Sequence, residues 1–305
     1  MSVGVVDEER HVAYRSTAPS IGLGQEDLIA TLERELRAAR EARPDVAAIG
    51  LGIPCTIDRE RGVAVMAVNL ELAGVPIRDL MRDRLGLPVE LDNDANAAVL
   101  AEHRFGAARG AENAVMLTIG TGIGGGLVIR GEVYRGSSGA AAELGHVVID
   151  KDGPPCQGNC PNRGCVEVFA SGTAIAREGL DAAERAPDST LGQALAQGVT
   201  LDGKEVTDAA LEGDPVAIGV LEGVGRRLGV ALASLANIFD PDVIVIGGGV
   251  IRAGDLLLDP ARAELATRAL SPMNRTPVAA AELGPDAGMI GAATMALLEL
   301  DREVA

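Results

Sequence analysis

Between Glu143 and Glu167 the chain reads ELGHVVIDKDGPPCQGNCPNRGCVE, and this stretch constrains the fold more than any other. It holds one histidine, three of the four cysteines and a glutamate at either end. His146, Cys156, Cys160 and Cys165 are four soft or borderline donors, the number that a closed tetrahedral zinc site takes. Gly158, Gly164, Pro154, Pro155 and Pro161 let the backbone turn sharply enough to bring the C-x3-C-x4-C thiolates to one point. The alternative is a disulfide with one thiol left over. The N-terminus MSVGVVDEERH shows no basic segment followed by an apolar one, so the thiols are expected to stay reduced and the protein to be cytoplasmic.

A chain of 305 residues exceeds what one core usually serves, so two lobes are expected. Hydrophobic residues make up 47% but aromatic ones only 2%, so the core must be built from Ala, Val, Leu and Ile, as suits an α/β protein. A net charge of −17 without clustered Lys and Arg argues against a nucleic-acid surface. No apolar run is long enough to cross a bilayer as a helix.

In chain order, Val3 to Val6 and His11 to Arg15 read as a β-hairpin and Glu26 to Ala42 as an amphipathic helix. Val46 to Gly52 reads as a buried strand, Asp58 to Gly62 as a turn, Ile77 to Leu85 as a helix and Pro88 to Leu91 as a strand. That strand runs into LDNDANAA, Leu91 to Ala98, ahead of a helix through Leu100 and His103. Asp92 or Asn93 serves equally well as a helix cap. Asp94 exceeds what one cap needs, and a carboxylate at a strand end can act as a general base. Cys55 reads as a small buried side chain and His103 as structural.

Asn113 to Leu117 continues as a strand into TIGTGIGGG, Thr118 to Gly126, and Leu127 to Ile129 resumes β character. A dinucleotide fingerprint needs a helix after its glycines, which this pattern lacks. A hairpin whose amides cradle phosphate fits better, with hydroxyls from Thr118 and Thr121; the plainer reading is a Gly-rich β-turn. Val166 to Ala183 and Glu222 to Phe239 read as helices and Val243 to Ile246 as a strand running into Gly247, Gly248 and Gly249. Helical periodicity returns near Leu256, a strand follows at Val278 to Ala280, and Gly288 to Leu300 closes the chain as a helix.

The ordered set of LDNDANAA, TIGTGIGGG, the E-x-G-H of Glu143 to His146, the cysteine knuckle ending at Glu167, and IGGGV at Ile246 to Val250 resembles the ROK sugar kinases of the actin-like ATPase superfamily. The resemblance implies two ribonuclease-H-like lobes with a cleft between them and a zinc knuckle. Residues 1–105 with 288–305 would form the small lobe and 106–287 the large one. It implies Asp94 as the base that deprotonates a sugar hydroxyl, with Asn93, Glu143, His146 and Glu167 on the other hydroxyls. Thr118, Gly120, Thr121, Gly122 and Gly124 would cradle ATP phosphates beside Mg2+, and Gly247 to Gly249 the adenosine. His146, Cys156, Cys160 and Cys165 would hold a structural Zn2+, although family knuckles commonly read C-x-C-x4-C.

The partners so implied are a small sugar, glucose first, and ATP, in a dimer or tetramer, with no nucleic acid or membrane. N-acetylmannosamine kinase and fructokinase are the neighbouring activities. The family's first strand and its Asp-x-Gly-Gly-Thr phosphate turn are absent from the sequence, which begins at what reads as the second strand. Two expectations follow: Met1 is an internal methionine of a longer protein, or the chain is a sugar-binding protein that no longer transfers phosphate.

Overall fold

The computed structural model describes residues 1–67, 70–158 and 160–304. Contacts divide the chain into one unit of Met1–Gly106, Val133–Ala141 and Pro285–Ala305 and a second of Ala107–Glu132 and Ala142–Gly284. The return of Val133–Ala141 to the first unit carries no signal in composition, and the expected division at 106–287 places it in the other.

The first unit opens with β1 (Ser2–Val6) antiparallel to β2 (Val12–Thr17), then α1 (Gln25–Ala42) and β3 (Ile49–Ile53). β4 (Cys55–Asp58), β5 (Val63–Ala67) and β6 (Ala73–Val75) make a small antiparallel sheet of their own, so the turn expected at Asp58 to Gly62 is a hairpin. α2 (Ile77–Leu85) ends on Gly86 in the left-handed conformation, and β7 (Val89–Asn93) pairs parallel to β3 in register Leu51↔Leu91. α3 (Asp94–Phe105) follows directly.

The second unit is built on one sheet, order β10-β9-β8-β11-β12. Its strands are β8 (Ala114–Ile119), β9 (Ile123–Ile129), β10 (Glu132–Val133), β11 (Val243–Gly247) and β12 (Val278–Ala280). β8 and β11 run parallel and are buried, which is why both read as unbroken apolar runs. The helices are α4 (Val166–Ala170), α5 (Gly172–Arg185), α6 (Thr190–Ala196), α7 (Gly203–Leu211), α8 (Pro215–Phe239) and α9 (Asp255–Arg268).

The single helix expected over Val166 to Ala183 is two. Ser171 breaks it, its side chain accepting from the Ala174 amide to cap a fresh helix. α8 starts seven residues before the expected Glu222, at Pro215, because Asp214 caps it through the amides of Val216 and Ala217. Leu221, Leu228 and Leu232 of α8 are fully buried, and Gly225 and Gly229 lie where any Cβ would overlap α9 backbone. Aliphatic burial and close helix approach thus stand in for the missing aromatics.

α10 (Ala287–Val304) belongs to the first unit. Gly50 of β3 and Gly291 of α10 each face backbone that a Cβ would overlap, at Ala292 and Ala97 respectively. These two glycines let α10 seat against β3 and α3 at once.

Candidate active site

In the first unit the β7–α3 junction sorts its three Asx residues by role. Asp92 is buried. One carboxylate oxygen accepts from the Asn93 amide at 2.8 Å and from Asn96 Nδ2 at 3.0 Å, and the other from Arg135 Nε at 2.6 Å. Asn93 caps α3: Oδ1 accepts from the amides of Ala95 (2.8 Å) and Asn96 (3.3 Å), while Nδ2 donates to the Cys55 carbonyl at 3.4 Å. Asn93 therefore has a structural task whether or not it meets a ligand.

Asp94 takes up neither task. Its Oδ1 accepts from the Ala95 amide of its own turn at 2.9 Å, and its side chain is open to solvent. The opening is a cavity rather than free surface, since Asp94 lines a concavity walled by β3 and α10. Protein on the remaining sides withholds water, so burial pushes the carboxyl above the usual range although hydrogen bonds from the Ala95 amide and its own pull it down. Cys55 close by is buried, its thiol pushed up to about 12 by desolvation first and by the Asp94 charge second.

In the second unit the glycine run is shorter as a turn than its sequence suggested. β8 ends at Ile119 and β9 begins at Ile123, so Gly120 to Gly122 alone make the turn, closed by the Gly120 amide on the Gly122 carbonyl at 2.9 Å. Thr118 and Gly124 are strand partners across the hairpin, and Gly125 is needed because a Cβ there would overlap the Ala142 carbonyl. The two Gly-rich segments meet: Gly247 stands in register with Thr118, and Gly248 (φ 86°) packs on Ile119 backbone. Two contacts went unforeseen. The Gly172 amide donates to the Gly120 carbonyl at 2.7 Å, and the Thr173 hydroxyl to the Thr121 carbonyl at 2.8 Å, so the start of α5 braces the turn.

Glu167 is nearly buried and its Oε2 accepts from the Ile123 amide at 2.8 Å. Gly145, in the E-x-G-H turn, faces the Ile123 carbonyl at a distance no Cβ would tolerate. Exposed Glu143 precedes that turn, and the His146 amide donates to the Glu143 carbonyl at 3.1 Å. Glu167 and the E-x-G-H turn, through Gly145, thereby both pack on the first residue of β9. Asn93 and Asp94 belong to the first unit.

Potential ligand atoms of His146, Cys156, Cys160 and Cys165 all lie within 4.8 Å of one another. Cys156 Sγ is 3.4 Å from His146 Nδ1 and Cys160 Sγ is 4.0 Å from Cys165 Sγ. All four cysteines are free, which disposes of the disulfide alternative. Metal–sulfur bonds of about 2.3 Å at tetrahedral angles put two sulfurs roughly 3.8 Å apart, so the cluster is the right size for such an ion. Backbone closes it: the Cys156 amide bonds the Asn162 carbonyl at 2.9 Å, and Gly164 (φ 65°) turns back to pair with Ile149. Without an ion, burial and the neighbouring thiols hold the Cys156 proton up to about 12. The four groups fit a thiolate-binding ion such as zinc, with His146 presenting Nδ1 to the cluster and leaving Nε2 for another partner.

The model of the ROK family matches residues 1–299. The chain belongs to the ROK family. A glucokinase from Streptomyces coelicolor is 37% identical over 97% of this chain and 94% of its own length. The ROK family glucokinase of Streptomyces griseus, solved with glucose and AMPPNP, superposes with a TM-score of 0.84 at 36% identity, covering 97% of this chain and 95% of that one. A ROK family transcriptional regulator, a homolog of the E. coli MLC protein, superposes with a TM-score of 0.85 at 27% identity over 96% of this chain and 74% of that one. The α/β fold is thus that of the ROK kinases, and it is shared by ROK regulators. No helix among the described residues is long and apolar enough to cross a membrane.

Proposed function

We propose that the chain is an ATP-dependent hexose kinase acting on glucose. The observation that carries this reading is Asp94, a carboxylate of raised pKa at a strand end that local structure leaves unused, in a chain similar to glucokinases. Asp94 takes the proton from the attacking sugar hydroxyl, and its raised basicity suits that task better than an ordinary aspartate's. Glu143, His146 and Glu167 bind further hydroxyls. Asn93 contributes Nδ2, because its oxygen already caps α3.

On the nucleotide side, the amides of Thr121 and Gly122 and the Thr121 hydroxyl meet ATP phosphates, while Gly120 holds the turn closed, with Gly247 to Gly249 beside the adenosine. Thr118 and Gly124 support this turn from the strands. Mg2+ neutralises charge on the phosphates when bound. His146, Cys156, Cys160 and Cys165 hold a structural zinc, which fixes the His146 ring so that Nε2 faces the sugar.

A second reading, a sugar-binding protein without phosphoryl transfer, is favoured by the likeness to a ROK regulator. A coupled assay with glucose and ATP, repeated across hexoses and N-acetylmannosamine, separates the two. Glucose-dependent ADP formation supports the kinase, and saturable glucose binding without it supports the second reading.

A further inference from the structure

In the second unit, two cations stand on segments that press against the glycine turn between β8 and β9. Gly203, the first residue of α7, lies on the start of α5. A Cβ there would come within 2.8 Å of the Gly172 carbonyl oxygen, and the Gly172 amide in turn donates to the Gly120 carbonyl at 2.7 Å. Lys204 is the next residue. A second segment reaches the same hairpin from the end of β11, where Gly248 packs on the Ile119 backbone and a short 3-10 turn, Gly249–Ala253, carries Arg252. Val250 and Ala253 are buried and fix that turn, while Arg252 stays half-exposed.

The backbone at Lys204 is fixed as well. Asp202 accepts from its amide at 2.6 Å and from that of Glu205 at 3.2 Å, so α7 starts in one place. The two cations then meet on one carboxylate: Lys204 Nζ donates to one oxygen of Asp208 at 3.0 Å, and the Arg252 guanidinium to the other at 2.6 Å. All three side chains are open to water, at 63%, 52% and 34% exposure for Lys204, Arg252 and Asp208, and ion pairs this exposed are weak enough to exchange.

Charge and residue choice both point to an anion that displaces Asp208. The glycine turns offer amides without charge, and a chain of net charge −17 repels a polyphosphate unless cations stand at its site. Of the 27 basic residues 25 are arginine, so arginine is this chain's ordinary surface cation, and Lys204 is one of only two lysines. A flexible ammonium with three rotatable donors passes from one anion to another without the fork geometry that an arginine pairing demands.

We propose that Lys204 and Arg252 bind the di- or triphosphate chain of the nucleotide, and that Asp208 competes with it by holding the two cations together while the site is empty. This rests on the nucleotide side of the proposed function and adds to it a clasp that must open. Because carboxylate and phosphates compete for the same donors, removing the carboxylate charge strengthens nucleotide binding, while removing either cation weakens it. A purely structural ion-pair cluster responds to all three losses alike.

Calorimetric titration of the full chain with ADP and Mg2+, and with adenosine as the ligand that lacks phosphate, tests this. Lys204→Gln and Arg252→Gln should each weaken ADP binding by about tenfold or more, the worth of a hydrogen bond between charged groups. Asp208→Asn should tighten it by roughly threefold, the worth of an exposed pair, and adenosine binding should not change in any of the three. Unchanged ADP affinity in both cation variants, weaker binding in Asp208→Asn, or a parallel loss of adenosine would each overturn the proposal. A parent that binds no ADP overturns it together with the kinase reading. A parent that binds ADP but does not phosphorylate glucose refutes the kinase reading alone, and the three variants still decide this one.

Discussion

Gly122 couples the two halves of the proposed chemistry in the second unit, and Gly122→Ala tests that coupling. A Cβ at Gly122 would overlap Glu167 Oε2 and lie 3.2 Å from its Cδ. The carboxylate must swing away, and the bond it accepts from the buried Ile123 amide is then lost. A hydrogen bond to a charged group contributes about 1.5–3 kcal/mol, and the crowding alone costs about 1–3 kcal/mol; the swing relieves part of the second at the expense of the first. A net loss of about 2–3 kcal/mol corresponds to a fall of roughly 4–12 °C in the thermal midpoint of a domain this size. A reacting group displaced by about 1 Å can cost ~10²-fold, so glucose-dependent turnover should fall at least that far.

A double-mutant cycle with Glu167→Ala isolates the cause, with thermal stability as the readout. Glu167→Ala removes both the bond and the atom that clashes, so adding Gly122→Ala to it should cost almost nothing. The coupling energy would then be about 2–3 kcal/mol. Strictly additive losses, or a Gly122→Ala protein with the parent's midpoint and turnover, would refute the reasoning and reduce the glycine to an ordinary turn residue.

Asp94→Asn should lower turnover ~10²–10⁴-fold while sugar binding persists, measured by initial rates and by calorimetry. Because the folded carboxyl pKa is raised, its stabilisation is complete below the unfolded value of about 3.9 and is lost as pH rises through the folded value. The Asn variant should therefore match the parent in acid and become the more stable of the two toward neutral pH, in thermal melts across pH. Arg135→Met leaves buried Asp92 with Arg59, 3.9 Å away, as its remaining cation, and should cost about 1–3 kcal/mol in urea unfolding; adding Asp92→Asn should recover part of it. Protein purified without chelator should contain one zinc per chain by elemental analysis, lost in Cys160→Ser, and stripping it should weaken glucose binding.

Legibility in the sequence followed the range of the interactions. The β1–β2 hairpin, α1, α2 and β12 were readable because periodicity and turn residues are local signals. So was the cysteine cluster, whose donors the backbone turns bring together over a short loop. The Asp214-Pro215 start of α8 and the capping box of α7, Asp202 with Glu205, were equally local and went unread. The glycine run misled for a different reason. Glycine marks both a turn and a strand pressed by a neighbour, and only the packed structure separates Gly120 to Gly122, which turn, from Gly125, which makes room for the Ala142 carbonyl.

The site's less visible parts come from far along the chain. Arg135 reaches Asp92 across 43 positions, and Gly172 meets Gly120 across more than fifty, with no spacing that a single sequence could reveal. Such contacts explain why Asp94 can be left alone. Asp92 is neutralised by Arg135 and hydrogen-bonded by Asn96, and Asn93 spends its oxygen on the helix cap, so the junction is rigid before Asp94 does anything. A carboxylate that must change protonation state during a reaction is best held by a backbone that does not depend on its charge. Here the fixed charge and the proposed base are two residues apart, the first buried and paired, the second opening into a cavity.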